Sequence, residues 1–92
     1  MSSTISFVNT LAKTGAIPIH FIRCKDSQGR QCYHFLMCSY EKVALLGAVK
    51  SGRFELSDYG TVLASGFGSR PDKSVVKKLV EKYGSRIEKL LL

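Results

Sequence analysis

The chain lacks the features that mark several classes of protein. None of its apolar runs approaches the roughly 20 residues needed to span a bilayer. Its first residues have no basic stretch followed by an apolar one, so we expect no signal peptide and a cytoplasmic location. Low-complexity segments and internal repeats are also absent. With 92 residues, 45% apolar and 23% charged, the sequence predicts one globular domain over 1–92.

Acidic residues are few, and their distribution is uneven. Fourteen lysines and arginines accompany seven aspartates and glutamates, which gives a net charge of +7. Residues 1–33 hold four basic side chains and one acidic one, and residues 70–92 hold seven and three. The segment 34–69 holds three of each and is neutral. Basic ends around a neutral middle admit an acidic partner, with nucleic acid as the first candidate.

Only two prolines occur, so most of the chain is open to regular structure. A serine before residue 4 and Gly15 after residue 13 are suitable caps for a first helix over about 4–13. Its apolar residues recur at helical spacing, and they are Ile5, Val8, Leu11 and Ala12. We therefore predict that the chain begins with a helix.

The next two segments are predicted to be strands. Residues 17–24 and 31–38 are apolar, and the polar segment Lys25 to Arg30 between them has the composition of a turn. Together they predict a β-hairpin. Pro18 has no amide hydrogen to donate to a ladder, so it belongs at the start of a strand or at a sheet edge.

The second half predicts a helix, a strand and a final helix. Ser39 caps a helix over about 40–50, whose apolar stripe consists of Val43, Leu46 and Val49. Residues 61–65 are a third strand, and a basic amphipathic helix spans 72–92. The predicted class is α+β in the order α-β-β-α-β-α. The expected architecture is a small, mostly antiparallel three-stranded sheet with the helices packed on one face.

The final helix has an apolar face and a basic flank. The apolar face holds Val76, Leu79, Val80, Tyr83, Ile87, Leu90 and Leu91. The basic flank is a row of four cations, and such a row suits a polyanion; it consists of Lys78, Lys82, Arg86 and Lys89. A solvated flank that keeps the protein soluble is the alternative. Gly84 followed by Ser85 favours a break that would divide the row.

The glycine turn before this helix gives a second candidate for anion binding. The sequence Ser-Gly-Phe-Gly-Ser-Arg-Pro over 65–71 has neither the lysine of a Walker loop nor the three glycines of a dinucleotide loop. We expect a structural turn, with a capping box between Ser69 and Asp72 and with Pro71 in the first helical turn. The alternative is an anion held by Gly68, Ser69 and Arg70.

Cysteine and histidine cluster on the predicted hairpin. In one register His20 faces His34 while Cys24 and Cys32 share their side of the sheet, and these four side chains would suit zinc. Their spacing matches no established zinc pattern. The alternative is a set of buried small side chains with partly exposed imidazoles. Three cysteines cannot all pair within one chain, which favours a reducing compartment.

Aromatic residues on the hairpin also admit two interpretations. Phe21, Tyr33 and Phe35, near Arg23 and Arg30, would stack single-stranded bases or fill the core; core is the expectation. A thiol enzyme would need Cys32 beside His20 or His34, and no orienting third group is present.

We therefore expect a non-catalytic interaction module without a cofactor or a membrane partner. A protein partner or a second copy of the chain is its expected ligand, since the sequence ends in three leucines and the sheet has free edges. A nucleic-acid-binding module that uses Lys78, Lys82, Arg86 and Lys89 together with Arg23 and Arg30 is the first alternative. A metal site on the hairpin is the second.

Overall fold

The computed structural model describes residues 4–14, 17–50 and 55–87. Four strands form one antiparallel sheet in chain order, so β1 and β4 are its outer strands. The elements are β1 (Thr4–Thr14), β2 (Ile17–Lys25), β3 (Gln31–Met37), α1 (Lys42–Lys50), a one-turn 3₁₀ helix (Leu56–Asp58), β4 (Thr61–Phe67) and α2 (Lys73–Tyr83). The α+β class is confirmed, whereas the three-stranded sheet and the α-β-β-α-β-α order are wrong.

The error lies in β1, which the sequence predicts to be a helix. β1 pairs with β2, but the register shifts between Ile5 and Phe7 and again between Thr10 and Ala12. Each β-bulge inserts one extra residue and reverses the alternation of faces beyond it. Ile5 and Val8 therefore pack on the same cluster although they are three residues apart. The first bulge thus gives Ile5 and Val8 the spacing of a helix, whereas Leu11 packs on the other face of the sheet. The proposed caps at residues 2, 3 and 15 lie outside the described residues.

The predicted hairpin is confirmed, with β2 and β3 joined by a five-residue turn. Asp26 organises this turn, because its Oδ1 accepts hydrogen bonds from the amides of Gln28 and Arg30, each at 2.9 Å. Its Oδ2 lies 2.8 Å from Arg30 Nε in an ion pair. The amide of Arg30 is the first of the interactions that hold the pKa of the Asp26 carboxyl below its ordinary value. Gly29 supplies the positive φ of 80° that the turn needs.

Both faces of the sheet are buried, each by a different helix. On the first face, Leu11, Ile19, Phe21, Tyr33 and Phe35 pack with Leu79 of α2 and with Ile87. On the second, Val8, Ile22, Leu36 and Cys38 pack with Leu45 of α1. We call these the α2 face and the α1 face. The expectation of helices on one face is wrong, because both β2 and β3 carry apolar side chains at odd and even positions.

The orientation of α1 also differs from the prediction. Leu45 is fully buried, whereas Val43 is 79% exposed and Leu46 is 36% exposed. The predicted stripe of Val43 and Leu46 thus points outward; the side chain of Val49 lies outside the described part of the chain. α1 contains no charged residue between its terminal lysines, so the sequence does not determine which side is buried.

Among the described residues, no helix is long and apolar enough to cross a bilayer.

α2 begins later and ends earlier than predicted. Its N-cap is Asp72, whose side chain makes no capping hydrogen bond, so the proposed capping box that starts at Ser69 is wrong. The helix ends at Tyr83, and Gly84 follows with a φ of 103°. Because L-residues other than glycine rarely adopt this backbone region, Gly84 explains the predicted break. Ile87, beyond the break, returns to the α2 face.

Gly66 in β4 is required by its cross-strand neighbour. It pairs with Tyr33 of β3, and a Cβ atom at position 66 would collide with the Tyr33 ring and hydroxyl. Tyr33 is 2% exposed and contacts the rings of Phe21 and Phe35. The absence of a side chain at Gly66 therefore makes room for the buried end of an aromatic cluster.

We predict opposite effects for the same substitution at two glycines. Gly66→Ala should lower the free energy of unfolding by about 1–3 kcal/mol, because the buried Tyr33 ring would have to move. Gly47→Ala in α1 should raise it by about 0.5–1 kcal/mol, since a Cβ there meets nothing within 4 Å and alanine favours helix. Urea unfolding at dilute protein concentration measures both. A neutral Gly66→Ala would contradict the packing described here.

Candidate functional site

The β2–β3 register brings two thiols and one imidazole together on the α1 face. Cys24 pairs directly with Cys32, and Ile22 pairs with His34. The two Sγ atoms lie 2.7 Å apart, and Cys32 Sγ lies 4.0 Å from His34 Nε2. All three potential ligand atoms lie within 4.8 Å of one another. We call these three side chains the thiol–imidazole cluster.

The imidazole of His34 is held in place from β4. Its Nδ1 lies 2.6 Å from the hydroxyl oxygen of Ser65, which is the residue opposite it in the ladder. When Nδ1 carries the proton, it donates to Ser65 Oγ, and the lone pair of Nε2 then points toward Cys32. Ser65 therefore orients the ring toward the two sulfurs.

A cavity opens beside the cluster between the sheet and the 3₁₀ helix. Its volume is about 340 Å³, and Cys24, His34 and Ser65 form one wall. Ile5, Ile22 and Val62 extend this wall, while Glu55 and Leu56 close the other side. Cys24 is 1% exposed and Cys32 6% exposed, and of the two only Cys24 lines this cavity.

Burial controls the protonation of the cluster. Desolvation is the main cause that raises the pKa of the Cys24 thiol to about 12, and its contact with Cys32 adds to the shift. Desolvation also lowers the pKa of His34. At neutral pH Cys24 is therefore a neutral thiol and His34 a neutral imidazole, and Cys24 is a poor nucleophile without a bound cation.

His20, the fourth predicted ligand, lies apart from the other three. It pairs with Leu36 rather than with His34, and it is roughly 13 Å along the strand from Cys24 at about 3.3 Å per residue. Its Nε2 lies 2.8 Å from the carbonyl oxygen of Tyr40, and its Nδ1 lies 2.9 Å from Thr10 Oγ1. A carbonyl only accepts, so Nε2 donates and Nδ1 accepts from the Thr10 hydroxyl. His20 thus joins β1, β2 and the start of α1.

The two arginines predicted to bind nucleic acid are engaged within the protein. Arg23 places its guanidinium carbon 5.4 Å from the ring centre of Phe7 and 5.7 Å from that of Phe21. Arg30 pairs with Asp26 and lies 4.8 Å from the ring centre of Phe67. The aromatic face predicted to be core is buried: Phe21, Tyr33 and Phe35 are each at most 3% exposed.

The predicted row of cations is divided by the break at Gly84. Lys78 and Lys82 share α2 and line a groove against β4, together with Ser65 and Tyr83. Arg86 is exposed but follows the break, and Lys89 lies outside the described residues. Within the described chain, two of the four predicted cations remain on one helix.

In the glycine turn, one of the three residues predicted to hold an anion is engaged within the sheet. Gly68 has a φ of 99°, and its amide donates to the carbonyl oxygen of Gln31 at 2.9 Å. That amide is therefore engaged in closing the β3–β4 ladder. Ser69 and Arg70 are exposed and precede the helix, whose N-cap is the acidic Asp72. An acidic residue at the N-terminus of α2 disfavours an anion at this position.

Sequence reasoning missed two features of these sites. Ser65 was assigned only to a strand, and its role depends on the β3–β4 register. The outward side of α1, with Tyr40, Val43 and Leu46, was assigned in part to the core. The sequence does contain an indication of this surface. Between its terminal lysines α1 is apolar on all sides, and a helix needs only one apolar side to pack on a sheet.

His20 predicts a specific pH dependence of stability. Burial is the main cause that lowers its pKa, so the folded state keeps it neutral while the unfolded state takes up a proton below about pH 6.5. The contribution of the neutral His20 ring to the free energy of unfolding is therefore fully present above that pH and is lost as the pH falls below it. Between about pH 7.5 and 5, the free energy of unfolding should fall less in His20→Gln than in the wild type. One extra proton bound by the unfolded state lowers this free energy by at most about 1.4 kcal/mol per pH unit. Equal losses, measured by urea unfolding, would contradict this.

No protein-family model, curated protein or solved structure matches the chain. A function for this protein therefore has to be argued from its own side chains and surfaces.

Proposed function

We propose that the protein is a non-catalytic interaction module that associates with a second copy of itself through α1. The observation that carries the proposal is the outward side of α1, where Val43 is 79% exposed. Leu46 and Tyr40 are exposed beside it, at 36% and 47%. Single exposed apolar residues are ordinary, but three on one helix and its approach suit a protein contact. We call Tyr40, Val43, Leu46 and Gly47 the α1 surface.

Gly47 supports close approach by a second helix. A glycine in a helix interior costs about 1 kcal/mol relative to alanine. No described residue requires it, because a Cβ at this position meets none of their atoms within 4 Å. A second helix that packs against Val43 and Leu46 would explain the glycine, because a residue without a side chain lets two helix backbones approach closely.

Charge favours this surface over others for self-association. Two copies of a chain with a net charge of +7 repel one another. The excess charge belongs to residues 1–33 and 70–92, whereas residues 34–69, which contain α1, are neutral. Between Lys42 and Lys50 the helix carries no charge. A two-fold contact between α1 helices would thus lie in the segment of the sequence without net charge, and closed two-fold pairs are the commonest oligomers.

The surroundings of His20 and Cys24 support a non-catalytic role. His20 uses both ring nitrogens in structural hydrogen bonds. Burial and the neighbouring thiol raise the pKa of Cys24, which opposes formation of the attacking thiolate. The three cysteines are buried free thiols, in keeping with our proposal of a reducing cytoplasm as the protein's location.

Gly47→Lys separates association from folding. In the monomer the lysine extends into open space and favours the helix over glycine by about 0.5–1 kcal/mol. In an α1–α1 dimer it inserts bulk and charge between the helices. Sedimentation equilibrium should show a wild-type dimer and at least about tenfold weaker association for the variant, or about 1.4 kcal/mol.

Ser74→Lys is the matched control, because it adds the same charge at an exposed position of α2. It should associate as the wild type does. A wild-type protein that stays monomeric at high concentration, or a Gly47→Lys variant that dimerises unchanged, contradicts the proposal.

Nucleic-acid binding by α2 is the second candidate, and one observation favours it. Lys78 and Lys82 project along the same groove beside Tyr83, where a phosphate backbone would meet two cations and an aromatic ring. Arg23 and Arg30 are engaged elsewhere, which ranks this candidate below self-association.

The second candidate predicts salt-dependent retardation of a labelled oligonucleotide. Replacing both Lys78 and Lys82 with glutamine should weaken binding and reduce the slope of log affinity against log salt by roughly 1.4–1.8. Replacing Lys73 and Lys77 with glutamine removes the same charge from exposed positions of the same helix and serves as the control. No retardation at low salt, or equal effects of the two double variants, excludes specific use of this groove.

A further inference from the structure

We propose that Cys24, Cys32 and His34 form a binding site for a thiophilic divalent metal ion, with Zn²⁺ as the metal. The site goes beyond self-association and is independent of α1. It rests on the convergence of three ligand atoms, on the orientation of His34 by Ser65, and on the cavity that lies beside them.

The distances suit a small tetrahedral ion. Bonds of about 2.3 Å to sulfur and 2.0–2.1 Å to nitrogen place tetrahedral ligand atoms roughly 3.4–3.8 Å apart. Cys32 Sγ and His34 Nε2 are already 4.0 Å apart. The two sulfurs, at 2.7 Å, would have to move apart by about 1 Å to reach this separation.

Ser65 supplies the outer contact that zinc histidines require. A metal-bound imidazole typically donates its other ring N–H to a neighbouring oxygen, which fixes the ring and its tautomer. The 2.6 Å contact between His34 Nδ1 and Ser65 Oγ provides that contact. A disulfide between the two cysteines would not involve the imidazole. A bound metal ion explains both the close approach of the two sulfurs and the orientation of His34 toward them.

The cavity provides the remaining coordination position. Three protein ligands leave one position of a tetrahedral ion open to solvent or to a further oxygen ligand. Here that position faces a space of about 340 Å³ whose wall includes Glu55. The ion would link β2 to β3 on the α1 face, and binding would displace the two thiol protons.

Titration of the reduced protein tests the proposal. Full-length protein is treated with a chelator, kept reduced with a phosphine, and titrated with Co²⁺ and then Zn²⁺. We expect one metal ion per chain, the visible bands of tetrahedral Co²⁺ with a thiolate-to-metal charge-transfer band, and their loss when Zn²⁺ displaces cobalt. The midpoint of thermal unfolding should rise with Zn²⁺, because the ion binds the folded chain.

Matched variants locate the site. Cys24→Ser, Cys32→Ser and His34→Gln should abolish the cobalt spectrum, and Ser65→Ala should weaken binding about 10–100-fold. Cys38→Ser and His20→Gln remove the remaining cysteine and histidine and should retain it. Circular dichroism establishes that each variant is folded.

If the buried cysteine variants unfold, the half-exposed His34 and exposed Ser65 decide the question. A reduced wild type that takes up no metal overturns the proposal. So does uptake that His34→Gln and Ser65→Ala leave unchanged. Gly47→Lys should not alter metal uptake, so failure of this site and failure of α1 self-association are distinguishable.

Discussion

The pairing of β2 with β3 is the constraint on which the rest of the structure depends. Each of these strands carries apolar side chains on both faces, so neither face can be left to solvent. The α2 face receives Phe21, Tyr33 and Phe35, and the α1 face receives Ile22, Leu36 and Cys24. A one-residue slip would turn one strand's side chains to the opposite face and move Cys24 away from Cys32 and His34. The hairpin therefore determines both the core and the thiol–imidazole cluster.

The flanking elements are arranged around this hairpin. β1 follows β2 only by means of two bulges, and β4 accommodates Tyr33 by means of Gly66. His20 fastens β1 and the approach to α1 to the same strand through its two ring nitrogens. Among the described side chains of α1, Leu45 is buried while Val43 and Leu46 are exposed, so these two remain available for a partner. The proposed association surface and the proposed metal site are thus separate consequences of one sheet.

The parts of the fold that sequence alone predicted are those with local causes. Asp26 and Gly29 identify the hairpin turn, and Gly84 identifies the end of α2. β1 is not predicted because the bulge between Ile5 and Phe7 gives Ile5 and Val8 a helical spacing. The direction of α1 was missed because a helix without internal charges has no polar side to indicate solvent.

The candidate metal site was predicted in part for a similar reason. The sequence placed four ligands on one hairpin, but the assumed register set His20 opposite His34. The structure shifts this pairing by two residues, so that Leu36 faces His20. A shift of an even number preserves the face and changes the neighbours. Cys24, Cys32 and His34 therefore still share a face while His20 is excluded. The role of Ser65 is not predictable from the sequence, because Ser65 is thirty-one residues from His34 and their contact depends on how β4 pairs with β3.

The register of the hairpin is the central claim, and interproton contacts across it provide the most direct measurement. The amide of Asp26 donates to the carbonyl of Arg30, and the amide of Cys38 donates to the carbonyl of Pro18. Counting in twos from these hydrogen-bonded pairs makes Phe21–Phe35 and Arg23–Tyr33 non-hydrogen-bonded pairs, in which opposite α-protons lie closest. The account predicts strong α-proton cross-peaks between Phe21 and Phe35 and between Arg23 and Tyr33. Cross-peaks displaced by one residue, such as Ile22 with Phe35, would contradict it, because they would place Cys24 and Cys32 on opposite faces.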